Sequence, residues 1–98
     1  MSSSASKAHE VVKISPRNYN EARLIGEAFR QGHPVMMVLE DCDITVRTRL
    51  VDFACGLAFA LHGAIEKMAN DLYFLTPHGV TVSNEDKRVV SSEFFNQS

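Results

Sequence analysis

The chain has 98 residues, 45% of them hydrophobic and 22% charged, with 10 Lys and Arg against 12 Asp and Glu for a net charge of -2. That is the composition of one soluble globular domain, too apolar for a disordered segment and too short to enclose a deep catalytic cavity. A slightly acidic balance without a Lys/Arg stripe argues against binding nucleic acid or an anionic lipid surface by charge.

Residues 1–8 (MSSSASKA) are small and polar, with no apolar segment of the secretory kind, and read as a disordered leader. His9–Ile14 is a short strand stopped by Pro16. Asn18 followed by Glu21 has capping-box spacing and opens a helix over about Tyr19–Gln31, with Ala22, Ile25, Gly26 and Phe29 on its apolar face. Gly32 and Pro34 end it. Pro34–Glu40 is an almost continuous apolar run, the pattern of a central strand covered on both faces.

Asp43 or Thr45 caps a second helix that continues to about His62, with Gly63 in the position just past its end. One apolar stripe is Val46, Leu50, Phe53, Ala54, Leu57 and Leu61, and a second is Val51, Cys55, Ala58 and Phe59. A helix apolar nearly all round has to be covered from two sides. A sheet covers one side, and the first helix, another chain or both must cover the other; another chain is the expectation taken here. Leu50–Leu61, the longest apolar run, is interrupted by Asp52 and falls short of the roughly 20 residues that span a bilayer.

Beyond Gly63 the pattern switches to that of strands. Ala64–Ala69 and Leu72–Thr76 flank an Asn70-Asp71 hairpin turn, Pro77 ends the second, and Val80 with Val82 offers one more short strand. Ser83 or Asn84 then caps a short helix with Val90, Phe94 and Phe95 on its apolar face. The expected fold is an α/β two-layer sandwich of order β-α-β-α-β-β, with two helices on one face of a four- or five-stranded sheet, dimeric. Residues 9–83 form the core domain and 84–98 a C-terminal extension.

Metal and catalytic chemistry find little support. His9, His33, His62 and His78 form no helical pair with one another or with Cys or a carboxylate, and Cys42 and Cys55 lack the spacing of a zinc site. No phosphate-cradling glycine motif occurs. Cys42 and His33 fall at opposite ends of one strand, which argues against a dyad. Free cysteines in a chain with a substantial core indicate a reducing, cytosolic compartment. No catalytic residue, metal or cofactor is expected. The hairpin offers more. Alternation puts Tyr73 and Leu75 on one strand face, and Lys67 shares a face with Ile65 on the neighbouring strand. A lysine beside an exposed tyrosine would anchor an acidic or carboxylate-bearing peptide; a solvated lysine beside a half-buried strand tyrosine explains the same residues.

The run Ile14-Ser15-Pro16-Arg17 with Tyr19, Glu21-Ala22, Ala28-Phe29-Arg30, Gly32 and Pro34-Val35 resembles the core domain of the bacterial cell-division family SepF. Arg49 to Leu57 (RLVDFACGL) and Ala60-Leu61-His62-Gly63 are similar to its central RxVDFxxG and ALxG motifs, and Glu66-Lys67-Met68 with Phe74-Leu75-Thr76-Pro77 to the strands that follow. The resemblance covers about residues 10–83 and is greatest to actinobacterial members.

It implies a homodimer that is not an enzyme, and leaves open whether dimers assemble into higher polymers. The dimer would bind the C-terminal peptide of the tubulin-like division protein FtsZ at the division site, on the cytoplasmic face of the membrane. The peptide-binding positions it implies are Lys67 and Tyr73, with Leu75 added from the strand pattern. The dimer contact falls to the second helix at Val51, Cys55, Gly56, Ala58 and Phe59, with Gly63. Such proteins attach to the membrane through an N-terminal amphipathic helix, which residues 1–8 do not resemble, so either a core domain cut from a longer protein, the expectation taken here, or a member with another anchor follows. A dimeric ligand-sensing regulatory domain is the alternative reading.

Overall fold

The computed structural model of the chain describes residues 10–96, with side chains through Ser92. Four strands form one sheet in the order β1-β2-β4-β3: β1 is Val12–Ile14, β2 Val35–Val38, β3 Ala64–Ala69 and β4 Leu72–Thr76. β1 runs parallel to β2, while β4 is antiparallel to both β2 and β3. Every residue of β2 is buried, as a central strand covered on both faces requires. Val80 and Val82 do not extend the sheet. They follow a turn in which the Val80 amide donates to the Pro77 carbonyl, and Val82 is buried against one sheet face. His9, expected to begin β1, lies outside the described residues.

A 3-10 turn at Tyr19–Glu21 leads into helix α1 (Ala22–Arg30). The capping box expected at Asn18 does not form, because the Asn18 side chain bonds no helical amide. Glu21 Oε1 instead accepts from the Arg17 amide at 2.9 Å, fastening the tight turn ahead of the helix. Ala22, Ile25 and Phe29 are the buried face, as expected. At the other end the Gly32 amide donates to the Phe29 carbonyl and the His33 amide to that of Ala28, with Gly32 at φ 95°. This Schellman turn needs a residue in left-handed backbone, and glycine adopts it without a Cβ clash.

Helix α2 (Ile44–Ala60) begins at Asp43, whose Oδ1 accepts from the Val46 amide at 2.9 Å. It ends in a second Schellman turn, with Gly63 donating to the Ala58 carbonyl and His62 to that of Phe59. The left-handed residue here is His62, at φ 59°, and not Gly63. The glycine is required for another reason. A Cβ on Gly63 would sit 2.5 Å from Phe29 Cζ and 2.6 Å from the Thr76 carbonyl oxygen, where β3 starts against its neighbours.

Helices α1 and α2 cover one sheet face, where Val35, Met37, Leu39 and Leu75 pack against Ile25, Phe29, Leu50 and Ala54. The opposite face carries Met36, Val38, Leu72, Phe74 and Val82. Helix α3 (Asn84–Asn96) lies on it, so the C-terminal segment adds a helix to the far side of the expected sandwich. Ser83 caps it, accepting from the Asp86 amide. Val90 packs on the apolar cluster, Lys87 Nζ pairs with Glu66 at 2.7 Å, and Ser91 Oγ comes within 4.0 Å of Met36 Sδ. The side chains of Phe94 and Phe95, expected on the apolar face of α3, lie outside the described residues.

Candidate functional site

The hairpin and helix α2 carry the candidate residues. In the β3–β4 ladder Lys67 stands directly opposite Tyr73, and Ile65 opposite Leu75. Directly opposed residues share a face, so Lys67 and Tyr73 project to the same side, that of α1 and α2. Lys67 is exposed, whereas Tyr73 is half-buried and packs against the helix-facing core. Leu75 is fully buried there, at 0% exposure. The expectation that Leu75 contributes to a peptide surface is therefore corrected: its face is the one the two helices cover, and only the outer strand position emerges from beneath them.

Arg47 of α2 lies against the hairpin turn, with Nη1 2.7 Å from Asp71 Oδ1. The contact is close but poorly aligned, since Arg47 Nε and Asp71 Oδ1 are both buried without a hydrogen-bond partner among the described residues. It is best described as an electrostatic contact that ties α2 to the turn just before Tyr73. Nothing in residue spacing pairs position 47 with position 71; packing of α2 over the hairpin does.

Helix α2 divides its expected contact residues. Leu50, Ala54 and Ala58 repeat every four residues and form the buried face, so Ala58 belongs to the core at 3% exposure and not to the outer stripe where it was expected. Gly63 is likewise occupied within the chain, against Phe29 and Thr76. Val51 is half-buried against the core. Phe53 is taken up by α1: its ring lies against Gly26 and meets Tyr19 edge-on, centroids 6.4 Å apart. Arg49 stacks over the same Tyr19 ring, 4.1 Å from its centroid. Cys55, Gly56 and Phe59 remain uncovered, with Phe59 86% exposed and open space around Gly56.

Cys42 is buried, and its thiol donates to the Pro16 carbonyl at 3.0 Å. Burial pushes this thiol up, partly offset by the positive charge of Arg47. It is held as a protonated core residue, the opposite of an activated nucleophile. His62 and His78 stack edge-to-face at 6.1 Å. Among the described residues no three His, Cys, Asp or Glu side chains come together as a metal site.

Fold and surface together define a small α/β domain with helices on both sheet faces and its distinctive exposed groups on an edge hairpin and one helix flank. The sequence model of cell division protein SepF matches residues 11–82. The chain is 50% identical over 97 residues to the cell division protein SepF of Kineococcus radiotolerans, covering 98% of this chain and 52% of that protein. With the SepF of Thermobifida fusca it shares 51% over 89 residues, 90% of this chain and 51% of the relative. Among solved structures, a SepF-like protein from Archaeoglobus fulgidus superposes with a TM-score of 0.68 at 21% identity, covering 76% of this chain and 92% of that one. One from Pyrococcus furiosus gives 0.59 at 15% identity, covering 74% and 92%. The chain belongs to the SepF family of cell division proteins, and it spans about half the length of the curated relatives it matches.

Proposed function

We propose that this chain is the docking domain of a cell-division adaptor, which pairs with a second copy and binds the C-terminal tail of FtsZ through Lys67 and Tyr73. The observation that carries the reading is the register of the hairpin, which sets an exposed lysine directly across from a half-buried tyrosine. An ammonium group beside an aromatic ring suits a short peptide bearing a carboxylate and an apolar side chain, the ring supplying contact area and the charge orientation. Self-association is assigned to the uncovered flank of α2 at Cys55, Gly56 and Phe59, with half-buried Val51 at its margin. A ring as exposed as Phe59, next to a glycine with open space above it, suits close approach of a second helix.

A flexible tail loses conformational freedom on docking, so each site binds modestly: about micromolar, roughly -8 kcal/mol. Two sites on one dimer, facing a filament with many tails, raise the apparent affinity through effective concentration. Such an adaptor crosslinks filaments and still releases them. Membrane linkage is assigned to an amphipathic segment of the whole protein and not to the described domain, in which no helix is long and apolar enough to cross a membrane. The adaptor would act at the division site, on the cytoplasmic face of the membrane.

Isothermal calorimetry with the tail peptide tests the docking site. Lys67→Glu leaves the core untouched and is expected to abolish detectable binding, and Tyr73→Phe separates the role of the ring from that of the hydroxyl. Unchanged affinity for Lys67→Glu removes the site.

A further inference from the structure

β3 is an outermost strand. It pairs only with β4, and none of its residues makes a backbone hydrogen bond elsewhere among the described residues. Its outer N–H and C=O groups therefore face solvent along Ala64–Lys67, before the register shift between Lys67 and Ala69 interrupts the strand. An open edge of this kind is a template for one more strand.

The surroundings state what kind of strand. Lys67 projects on the helix side of this edge, exposed, and makes no ion pair with a described residue. On the opposite side Glu66 is engaged by Lys87, and beyond it Arg88 is exposed and likewise without an ion-pair partner among the described residues. Arg88 lines a groove of about 440 Å³ with Met68, Ala69, Leu72 and two serines of α3. The open backbone edge is thus flanked on each face by a cation with no ion-pair partner among the described residues, with a largely apolar depression on one side. Two carboxylates of the hairpin, Glu66 and Asp71, are turned to Lys87 and Arg47.

We propose that an extended acidic peptide adds as a fifth strand along the outer edge of β3, its carboxylates meeting Lys67 and Arg88 on opposite faces and one apolar side chain entering the groove beside Met68. This mode rests on the function proposed above and specifies how the tail is held: main-chain hydrogen bonds supply register, alternate side chains read the two faces, and Tyr73, one strand inward on β4, is met by a side chain reaching across β3 beside Lys67. A second copy fits less well. Its β3 edge brings a second exposed Lys67 to the contact, with Arg88 of its C-terminal helix close by, so like charges meet where a peptide brings carboxylates.

Peptides methylated at one backbone nitrogen at a time distinguish strand addition from side-chain docking. Measured by calorimetry against the full chain, methylation is expected to weaken binding about tenfold at alternate residues and to leave the intervening ones within about twofold, because alternate amides point away from the partner strand. Arg88→Glu, an exposed substitution, is expected to weaken binding severalfold. In hydrogen exchange, outward amides of Ala64–Lys67 gain protection only when peptide is present. If every methylated peptide binds like the parent while Lys67→Glu still abolishes binding, strand addition is overturned and the docking function stands. If the parent peptide does not bind at all, the function falls and the strand with it. Protection of the β3 amides that rises with protein concentration in the absence of peptide assigns the edge to a second copy and also overturns the proposal.

Discussion

Replacing Gly63 with alanine places a methyl carbon 2.5 Å from Phe29 Cζ and 2.6 Å from the Thr76 carbonyl oxygen. Neither neighbour yields cheaply: Phe29 is 2% exposed in the core, and the carbonyl belongs to the backbone of β4. Overpacking of this kind costs about 1–3 kcal/mol, and a backbone contact puts Gly63→Ala in the upper part of that range, about 2–3 kcal/mol. For a domain of this size each kcal/mol moves the melting temperature by about 4–8 °C, so a fall of at least about 8 °C is expected by circular dichroism. Measured at a concentration where the chain is a monomer, Gly56 supplies the control, because a Cβ there meets nothing within 4 Å in the single chain and its place inside α2 favours alanine. Gly56→Ala is expected to raise stability by about 0.5–1 kcal/mol, a shift of a few degrees in the opposite direction. A Gly63→Ala protein melting within about 2 °C of the parent would refute the reasoning, since it would mean that the start of β3 moves freely away from Phe29.

Three further outcomes follow from the same geometry. Asp43→Ala removes the side-chain acceptor for the Val46 amide and is expected to cost about 1 kcal/mol in urea unfolding; no loss would show that another group caps α2. Phe59→Glu, at a position 86% exposed, is expected to leave unfolding at low concentration within about 0.5 kcal/mol of the parent while abolishing self-association in sedimentation. A dimer that survives it moves the contact away from this flank. Cys42 ionises in the folded state above the ordinary thiol value of 9.0. Its contribution to stability is therefore intact below pH 9.0 and is lost as pH rises through the folded value. Cys42→Ala should flatten the decline of the urea midpoint above pH 9.0, whereas Cys55→Ala should not; equal slopes in both variants would remove burial of the Cys42 thiol as the cause.

Much of the candidate site could be read from residue order because strands and helices have fixed periods. The Asn70-Asp71 turn between two β-rich runs brings Lys67 and Tyr73 onto neighbouring strands, but a regular two-residue turn would oppose Lys67 to Phe74; the register shift between Lys67 and Ala69 is what sets Lys67 across from Tyr73. The same alternation correctly paired Tyr73 with Leu75, yet it could not say which face the helices cover. That choice made Leu75 core and left Leu72 and Phe74 to α3. On α2 the two stripes were legible, but Ala58 was set on the wrong one: a residue between two stripes is assigned by the exact rotation of the helix on its sheet. The family-like run from Arg49 to Phe53 proves largely a packing motif, with Arg49 and Phe53 both engaging Tyr19.

Sequence alone determined the local chemistry of this protein: a central strand too apolar to be exposed, a helix capped at Asp43 or Thr45, a hairpin at Asn70-Asp71 and a glycine needed near residue 63. These follow from periodicity, capping and turn preferences, which depend on neighbours within a few positions. Only the tertiary structure decided that His62 takes the left-handed backbone and that Gly63 yields its side-chain space to Phe29. It also decided that Arg47 reaches Asp71, and that a third helix closes the far side of the sheet. Those outcomes depend on which surfaces meet in space, and separation along a chain does not encode that.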